Sequence, residues 1–221
     1  MPDAKLHSVK TADGVETIIY KIRECEVTLA DFPAGITAEV TGLFATTEFK
    51  PGLAAINGRL VIVMPILAND LVTLDEMRRL VTDVKDTPVY VVAKNEHDGN
   101  DFASFDRSTV ARDLEGMKSP VIRVPSLNQN LRAILNENRA TLAQYIGWFW
   151  ELKMRDPQAA FPHTVSSQVA TTALREMFSQ LDKLAHVLLP TSLAEKLVND
   201  DSGDAIKNFG RLAWSAKQPR P

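Results

Sequence analysis

The chain has 221 residues, of which 45% are hydrophobic and 24% are charged, so disordered, collagen-like and disulfide-built chains are excluded. A chain of this length forms one full domain, or one domain with an extension, and can bury a sizeable core. The formal net charge of -3 gives no general electrostatic reason for the chain to bind nucleic acid.

The first predicted elements lie between residues 13 and 52. Residues 13–24 predict a helix because their apolar side chains recur with the spacing of one helical face. Val27–Ala30 is a β-favouring run that predicts a buried strand, which ends in the loop Asp31–Gly35. Helical spacing returns in Ile36–Phe44, and Pro51-Gly52 is expected to close that segment.

Three longer apolar runs predict further strands, and two amphipathic segments between them predict helices. The first run shows no alternation, which is typical of a strand covered on both faces. The strands are predicted at Leu60–Pro65, Pro88–Ala93 and Pro120–Pro125, and the helices at 71–84 and 102–117. Strands that alternate with helices in this way indicate a layered α/β fold with a mainly parallel sheet and flanking helices.

The remainder of the chain predicts helices and no strand. These helices are expected at Leu131–Lys153, Val165–Leu189, Thr191–Asn199 and Ala205–Lys217. We therefore predict an α/β domain over residues 1–135 and a helical extension over 136–221, packed on or beside that domain.

Residues that follow the predicted strands are the first candidates for a site, because ligands bind at the carboxyl ends of strands in open α/β sheets. Asp31 follows the strand predicted at Val27–Ala30, and its carboxylate is suited to holding a metal-bound water. Gly35 would let the backbone approach a phosphate group. The alternative interpretation of Asp31 is that it caps the next helix.

Four segments together resemble a known family. The runs VTLADFPAG, LVIVMPILANDLVTLDEMRRLV, PVYVVAKNEHDG and VIRVPSL resemble the central and later strands of ParA/MinD-type P-loop ATPases, in particular the plasmid stability and conjugation members. The resemblance covers about residues 5 to 135. It implies a P-loop NTPase-like fold, ATP and Mg²⁺ as cofactors, ATP-dependent dimerisation, and a role in plasmid partition, stability or conjugative transfer.

The resemblance also assigns individual residues. Asp31, Pro33 and Gly35 match the Asp-x-Pro-x-Gly element beside the metal and the γ-phosphate, with Asp31 as the catalytic and metal-side residue. Asn95 matches the asparagine that contacts the adenine base, although Lys94 stands before it where an apolar residue is commoner. These four residues are therefore the predicted nucleotide-binding positions.

One family motif is missing from the sequence. P-loop ATPases carry Gly-x-x-x-x-Gly-Lys-Ser/Thr, whose backbone N–H groups and lysine hold the phosphates, and no such string occurs here. We expect the chain to begin after the first strand and the phosphate loop of the family, and to bind ATP poorly by itself. ATPase activity is accordingly implied by the resemblance alone.

Two other functional classes are alternatives to the nucleotide switch. A non-enzymatic interaction module would use the α/β scaffold and the helical extension to bind a protein partner. A hydrolase is disfavoured because Ser126, Ser166 and Ser167 have no Gly-x-Ser-x-Gly context. The pair His97-Asp98 is expected to be a solvated turn rather than an acid–base pair.

The helical extension contains an aromatic cluster that indicates partner binding. Tyr145, Trp148, Phe149 and Trp150 lie within six residues, so on a helix they spread over more than one face. We expect part of this aromatic surface to be exposed, and the C-terminal helices to form a homodimer or to bind a protein partner. DNA association through the weakly basic terminus is an alternative that the net charge does not support.

Cysteine content and hydropathy indicate the compartment. Cys25 is the single cysteine, which excludes an intramolecular disulfide and a cysteine-rich zinc site and favours a reducing compartment. No apolar run approaches the roughly 20 residues that span a bilayer, and the first residues lack the apolar segment of a signal peptide. The cytoplasm is therefore the expected location, without membrane insertion.

Overall fold

The computed structural model describes residues 20, 26–32, 35, 37–45, 49–85 and 88–191. The helices predicted at 13–24 and at 191–199 lie outside the described residues except for Tyr20 and Thr191, which are helical. The helix predicted at 205–217 lies outside them altogether.

The described part of the chain contains ten α-helices, three strands and two short 3₁₀ turns. In chain order they are α1 (Thr37–Ala45), α2 (Phe49–Ala55), β1 (Val61–Leu67), α3 (Leu71–Val84), β2 (Val89–Asn95), the turn Glu96–Asp98, α4 (Ala103–Asp106), α5 (Thr109–Gly116), β3 (Val121–Val124), α6 (Gln129–Glu137), α7 (Leu142–Arg155), α8 (Pro157–Ala160), the turn Phe161–His163, α9 (Thr164–Lys183) and α10 (Ala185–Leu188). The three strands predicted from 60 onward and the helix predicted at 71–84 are confirmed within a few residues.

The strands form a small parallel sheet in the order β1-β2-β3, flanked by helices, so the α/β class is confirmed. The central strand β2 is buried along most of its length, and Val91 and Val92 have no exposed surface. The edge strands are different, since Val63 of β1 is 50% exposed and Val121 of β3 is 52% exposed. The prediction that Leu60–Pro65 is covered on both faces is therefore wrong.

The burial of β1 alternates because one of its faces packs into a core and the other does not. Met64 and Ile66 point into the apolar core of the sheet, where Leu74, Met77 and Val81 of α3 cover them. Folding removes the apolar surface of these side chains from water. This burial is the main favourable contribution to folding.

Two prolines lie inside elements that they were expected to end. Pro65 lies within β1, where an edge strand tolerates the missing N–H because one side of its backbone has no neighbour among the described strands. Pro51 lies in the first turn of α2, where the backbone N–H would have no helical partner. The prediction that Pro51-Gly52 closes the helical segment is therefore wrong.

Three predicted long helices are each divided in two by local capping or turn geometry. The segment 102–117 breaks at Ser108, whose hydroxyl accepts a hydrogen bond from the backbone N of Ala111 and begins α5. The segment 131–153 breaks where Arg139 adopts a φ of 48° and Thr141 forms a capping box with Gln144 at the start of α7. Within the segment 165–189, α9 ends at Lys183 and a second, short helix, α10, begins at Ala185.

The chain divides into two compact units. The first contains the described residues up to Ala93 together with Asp101–Val121 and Val187–Pro190. The second contains Lys94–Asn100 and Ile122–His186 together with Thr191. Strands β2 and β3 thus begin in the first unit and end in the second, and the domain boundary at residue 135 stays a prediction.

The second unit has its own apolar core, which is made by α6, α7 and α9. Leu131 and Ala170 have no exposed surface, and Ile146 is buried beside them. These side chains come from three helices, so the core holds α6, α7 and α9 together.

A side chain covers the outer edge of β3. The backbone N of Arg123 donates to Oε1 of Gln180 at 2.7 Å, and Nε2 of Gln180 donates to the backbone O of Arg123 at 2.9 Å. Pro120 lies three residues earlier and its carbonyl accepts from β2, so the alternation of a strand directs the backbone groups of Arg123 away from β2. Gln180 therefore occupies one position that a neighbouring strand would otherwise take.

We predict that Gln180→Ala lowers the free energy of unfolding by about 1 kcal/mol, because two backbone groups of the sheet edge lose their protein partner. The variant should also associate more readily, since exposed strand edges recruit other strands. Urea unfolding and light scattering would measure the two effects. The matched control is Gln168→Ala, on an exposed position of the same helix, and equal stability of the two variants would contradict the role given to Gln180.

Candidate functional site

Asp31 lies on an exposed segment without regular structure. Residues 26–32 form neither helix nor strand, Asp31 is exposed, and 73% of the Leu29 side chain is exposed. The buried strand predicted at Val27–Ala30 is therefore wrong. A β-favouring run becomes a strand only when another strand pairs with it, and no described residue pairs with this one. The catalytic and metal-binding roles of Asp31 stay predictions, without the strand on which the residue-based argument rested.

Gly35 has a backbone conformation that favours glycine. Its φ of 80° lies in the left-handed region, which side chains larger than hydrogen rarely adopt. A Cβ added there would meet no atom within 4 Å, so backbone conformation rather than crowding selects glycine. Contact of Gly35 with a phosphate stays a prediction, and Pro33 lies outside the described residues.

Asn95 is the last residue of β2 and is half-buried. Its Oδ1 accepts a hydrogen bond from the backbone N of His97 at 3.1 Å and caps the turn Glu96–Asp98. The strand thus extends two residues beyond the predicted Ala93, which puts Asn95 at the carboxyl end of the central strand. The adenine contact stays a prediction.

A group of charged side chains lies at the carboxyl ends of β2 and β3 in the second unit. We call Glu96, His97, Arg123 and Arg132 the polar cluster. Nη1 of Arg123 donates to Oε1 of Glu96 at 2.9 Å. Nη1 of Arg132 lies 3.2 Å from Nε2 and 3.4 Å from Nδ1 of His97. The cluster therefore contains one arginine bound to a carboxylate and one bound to an imidazole.

The start of α6 positions Arg132. Oδ1 of Asn128 accepts from the backbone N of Leu131 at 2.8 Å, which begins the helix directly after the loop that follows β3. Leu131 is fully buried and anchors this first turn, so the neighbouring Arg132 is held beside the turn Glu96–Asp98. Sequence reasoning missed Arg123 and Arg132. The available signal was a basic residue in β3 and another in the first turn of the following helix.

His97 and Asp98 are not arranged as an acid–base pair. Nε2 of His97 lies 3.6 Å from Oδ1 of Asp98, which is too long for a hydrogen bond. More than half of each side chain is exposed. The geometry agrees with the solvated turn expected from the sequence.

The first unit has a shallow depression at the carboxyl end of β1, with room for about one water molecule. Asp70 lines it and caps α3, accepting from the backbone N of Val72 at 3.0 Å and from that of Thr73 at 3.1 Å. The Thr73 hydroxyl also donates to Asp70. Hydrogen bonds from Thr73, with a smaller contribution from Val72, hold the pKa of Asp70 below its usual range. Asp70 thus acts as a helix cap in this structure.

We predict that Asp70→Ala lowers the free energy of unfolding by about 1 kcal/mol at neutral pH, because α3 loses its cap. A lowered pKa in the folded state means that this stabilisation is present above the ordinary pKa of aspartate and is lost as the pH falls through the folded value. The difference between parent and variant, measured by urea unfolding, should therefore shrink in acid. Asp70→Asn is the control: it keeps the cap acceptor, and it should keep most of the stability but lose this pH dependence. A difference that stays constant in acid would contradict the assignment.

The aromatic cluster of α7 divides into two buried and two half-buried side chains. Tyr145 and Phe149 are buried, while Trp148 and Trp150 are half-buried. Trp148 meets the ring of His163 edge-on at a centroid distance of 4.7 Å. Burial raises the pKa of Tyr145, although a hydrogen bond with Ser166 opposes the shift. Most of the cluster therefore contributes to the core of the second unit.

The most exposed apolar side chains of the second unit are not its tryptophans. Met154 and Phe161 are each 79% exposed, and Val165 is 66% exposed. We call these three residues the exposed apolar set. Moving apolar side chains that are exposed to this degree from water to a partner surface is favourable, so they are the candidates for contact among the described residues of this unit.

Within the part of the chain that the structure describes, no group of three or more His, Cys, Asp or Glu side chains is placed to hold a metal ion. None of the described helices is long and apolar enough to cross a membrane. Comparisons with protein-family models, with curated proteins and with solved structures found no match to this chain.

Proposed function

We propose that this chain is a ParA/MinD-like protein of plasmid partition, stability or conjugative transfer that acts by binding a protein partner, and that it does not hydrolyse ATP by itself. The observation that carries partner binding is the exposed apolar set Met154, Phe161 and Val165 on the helical unit. The family and its plasmid role rest on the resemblance. The parallel sheet with its flanking helices is of the α/β class, as the resemblance implies. The proposed compartment is the cytoplasm.

The surroundings of the exposed apolar set favour a protein surface as its partner. Met154 follows Trp150 by four residues on α7, so the two side chains share one face of the helix. Nζ of Lys153 lies 4.9 Å from the centre of the Trp150 ring, a cation–π contact that holds this half-buried ring in place. Apolar side chains next to charged ones are typical of protein interfaces, which have an apolar centre and a polar rim.

A second copy of the chain is the partner that the proposal commits to, since the family implied by the resemblance works as a dimer. We predict that the parent self-associates at micromolar concentration and that Met154→Glu combined with Phe161→Glu makes it monomeric, because charges at an apolar interface are costly to bury. Light scattering over a concentration series is the measurement. Both positions are exposed, so the fold should survive, as circular dichroism would show.

The matched control is Leu71→Glu, an exposed apolar position of the first unit at the start of α3. It should leave self-association unchanged. A parent chain that is monomeric at every concentration, or a Leu71→Glu variant that dissociates as readily as the double variant, would sink the proposal.

A second candidate function, nucleotide binding, is favoured by the location of Asn95 at the carboxyl end of the central strand. In this candidate function Asn95 contacts the adenine of ATP. Asp31 binds Mg²⁺, and the backbone at Gly35 approaches the phosphates. These assignments come from the resemblance.

We predict that the 221-residue chain binds Mg-ATP more weakly than at micromolar affinity, because it lacks the glycine-rich loop and lysine that hold the phosphates. Isothermal titration calorimetry with and without Mg²⁺ is the measurement. A magnesium-dependent affinity in the micromolar range, about -8 kcal/mol, would reveal a phosphate site elsewhere in the chain and would favour the nucleotide switch.

A further inference from the structure

Arg132 of the polar cluster is a half-buried arginine that forms no ion pair with a described residue. Arg123 in the same cluster is bound to the carboxylate of Glu96. A guanidinium carries five N–H donors, and a charged group that leaves bulk water is costly unless it gains partners. Arg132 is therefore the cationic group of the cluster with capacity to bind a ligand.

The contact with His97 leaves most of this capacity unused. Nη1 of Arg132 lies 3.2 Å from Nε2 and 3.4 Å from Nδ1 of His97, so this contact engages a single guanidinium nitrogen. The other guanidinium nitrogens contact no described acceptor. A guanidinium only donates, so the ring nitrogen of His97 that it contacts accepts, and no described carboxylate is bound to the guanidinium of Arg132.

The backbone around Arg132 also favours an anion. Arg132 lies in the first turn of α6, a helix of nine residues whose N-terminal N–H groups carry a partial positive charge. The side chain of Asn128 satisfies the N–H of Leu131, and the remaining first-turn donors add to the field at this end. Asp98 is the opposing group, since its carboxylate lies 3.6 Å from His97 and repels an anion.

We propose that Arg132 and His97 form a binding site for a phosphate-type oxyanion at the carboxyl ends of β2 and β3. Two parallel N–H donors of a guanidinium match two oxygens of a phosphate group, and the imidazole supplies a further donor. The proposal does not depend on partner binding by the exposed apolar set, so either can fail while the other stands.

A ³¹P NMR titration of the full chain with inorganic phosphate, at constant ionic strength, would test this site. We expect Arg132→Gln to weaken binding about tenfold or more, because hydrogen bonds to a charged group are lost. Arg132→Lys keeps the charge without the planar fork and should show an intermediate loss. The control Arg112→Gln, at an exposed position of α5, should change the dissociation constant less than about twofold.

The same titration with adenosine monophosphate separates two sources of the phosphate group. Equal affinities for both compounds indicate a free phosphate, whereas tighter nucleotide binding that Arg132→Gln removes indicates a nucleotide phosphate; both results support the site. Urea unfolding must show that Arg132→Gln is as stable as Arg112→Gln. Parent binding that Arg132→Gln leaves unchanged, or no binding by the parent at millimolar phosphate, would overturn the proposal.

Discussion

The burial of the central strand β2 is the constraint on which the candidate sites depend. Val91 and Val92 are completely buried, so both faces of this strand must be covered and both of its edges paired. Strands β1 and β3 form hydrogen bonds with the two edges of β2. Because the strands are parallel, the carboxyl ends of β2 and β3 lie at the same side of the sheet. The turn Glu96–Asp98 and the start of α6 follow these ends. The polar cluster is therefore a consequence of the pairing of β2 with β3.

Local capping decides where the surrounding helices begin. Ser108, Asn128 and Thr141 each accept a backbone N–H within three residues of their own position, which fixes the first turns of α5, α6 and α7. Apolar periodicity runs through two of these points without interruption, because it reports burial rather than hydrogen bonding. The cap at Asn128 also has a functional consequence, since it sets the position of Arg132.

The second unit offers two surfaces of different chemistry. The polar cluster presents a guanidinium without a described carboxylate partner, which suits a small anion. The exposed apolar set presents Met154, Phe161 and Val165, which suit the surface of another protein. Directed hydrogen bonds recognise the first kind of ligand, whereas removal of apolar area from water drives the second. The two proposals can therefore be tested by independent substitutions.

The sequence by itself determined the α/β alternation, the strands from residue 60 onward and the helix α3, because burial of a strand or of one helix face is written in the local spacing of apolar residues. It also indicated that Asn95 lies near the end of β2. It was wrong about Val27–Ala30, since a strand needs a partner that the run itself does not specify. Only the tertiary structure brought Arg132 to His97, 35 residues away, and Gln180 to Arg123, 57 residues away. Such contacts depend on how separate elements pack, and no local pattern of residue types encodes that packing.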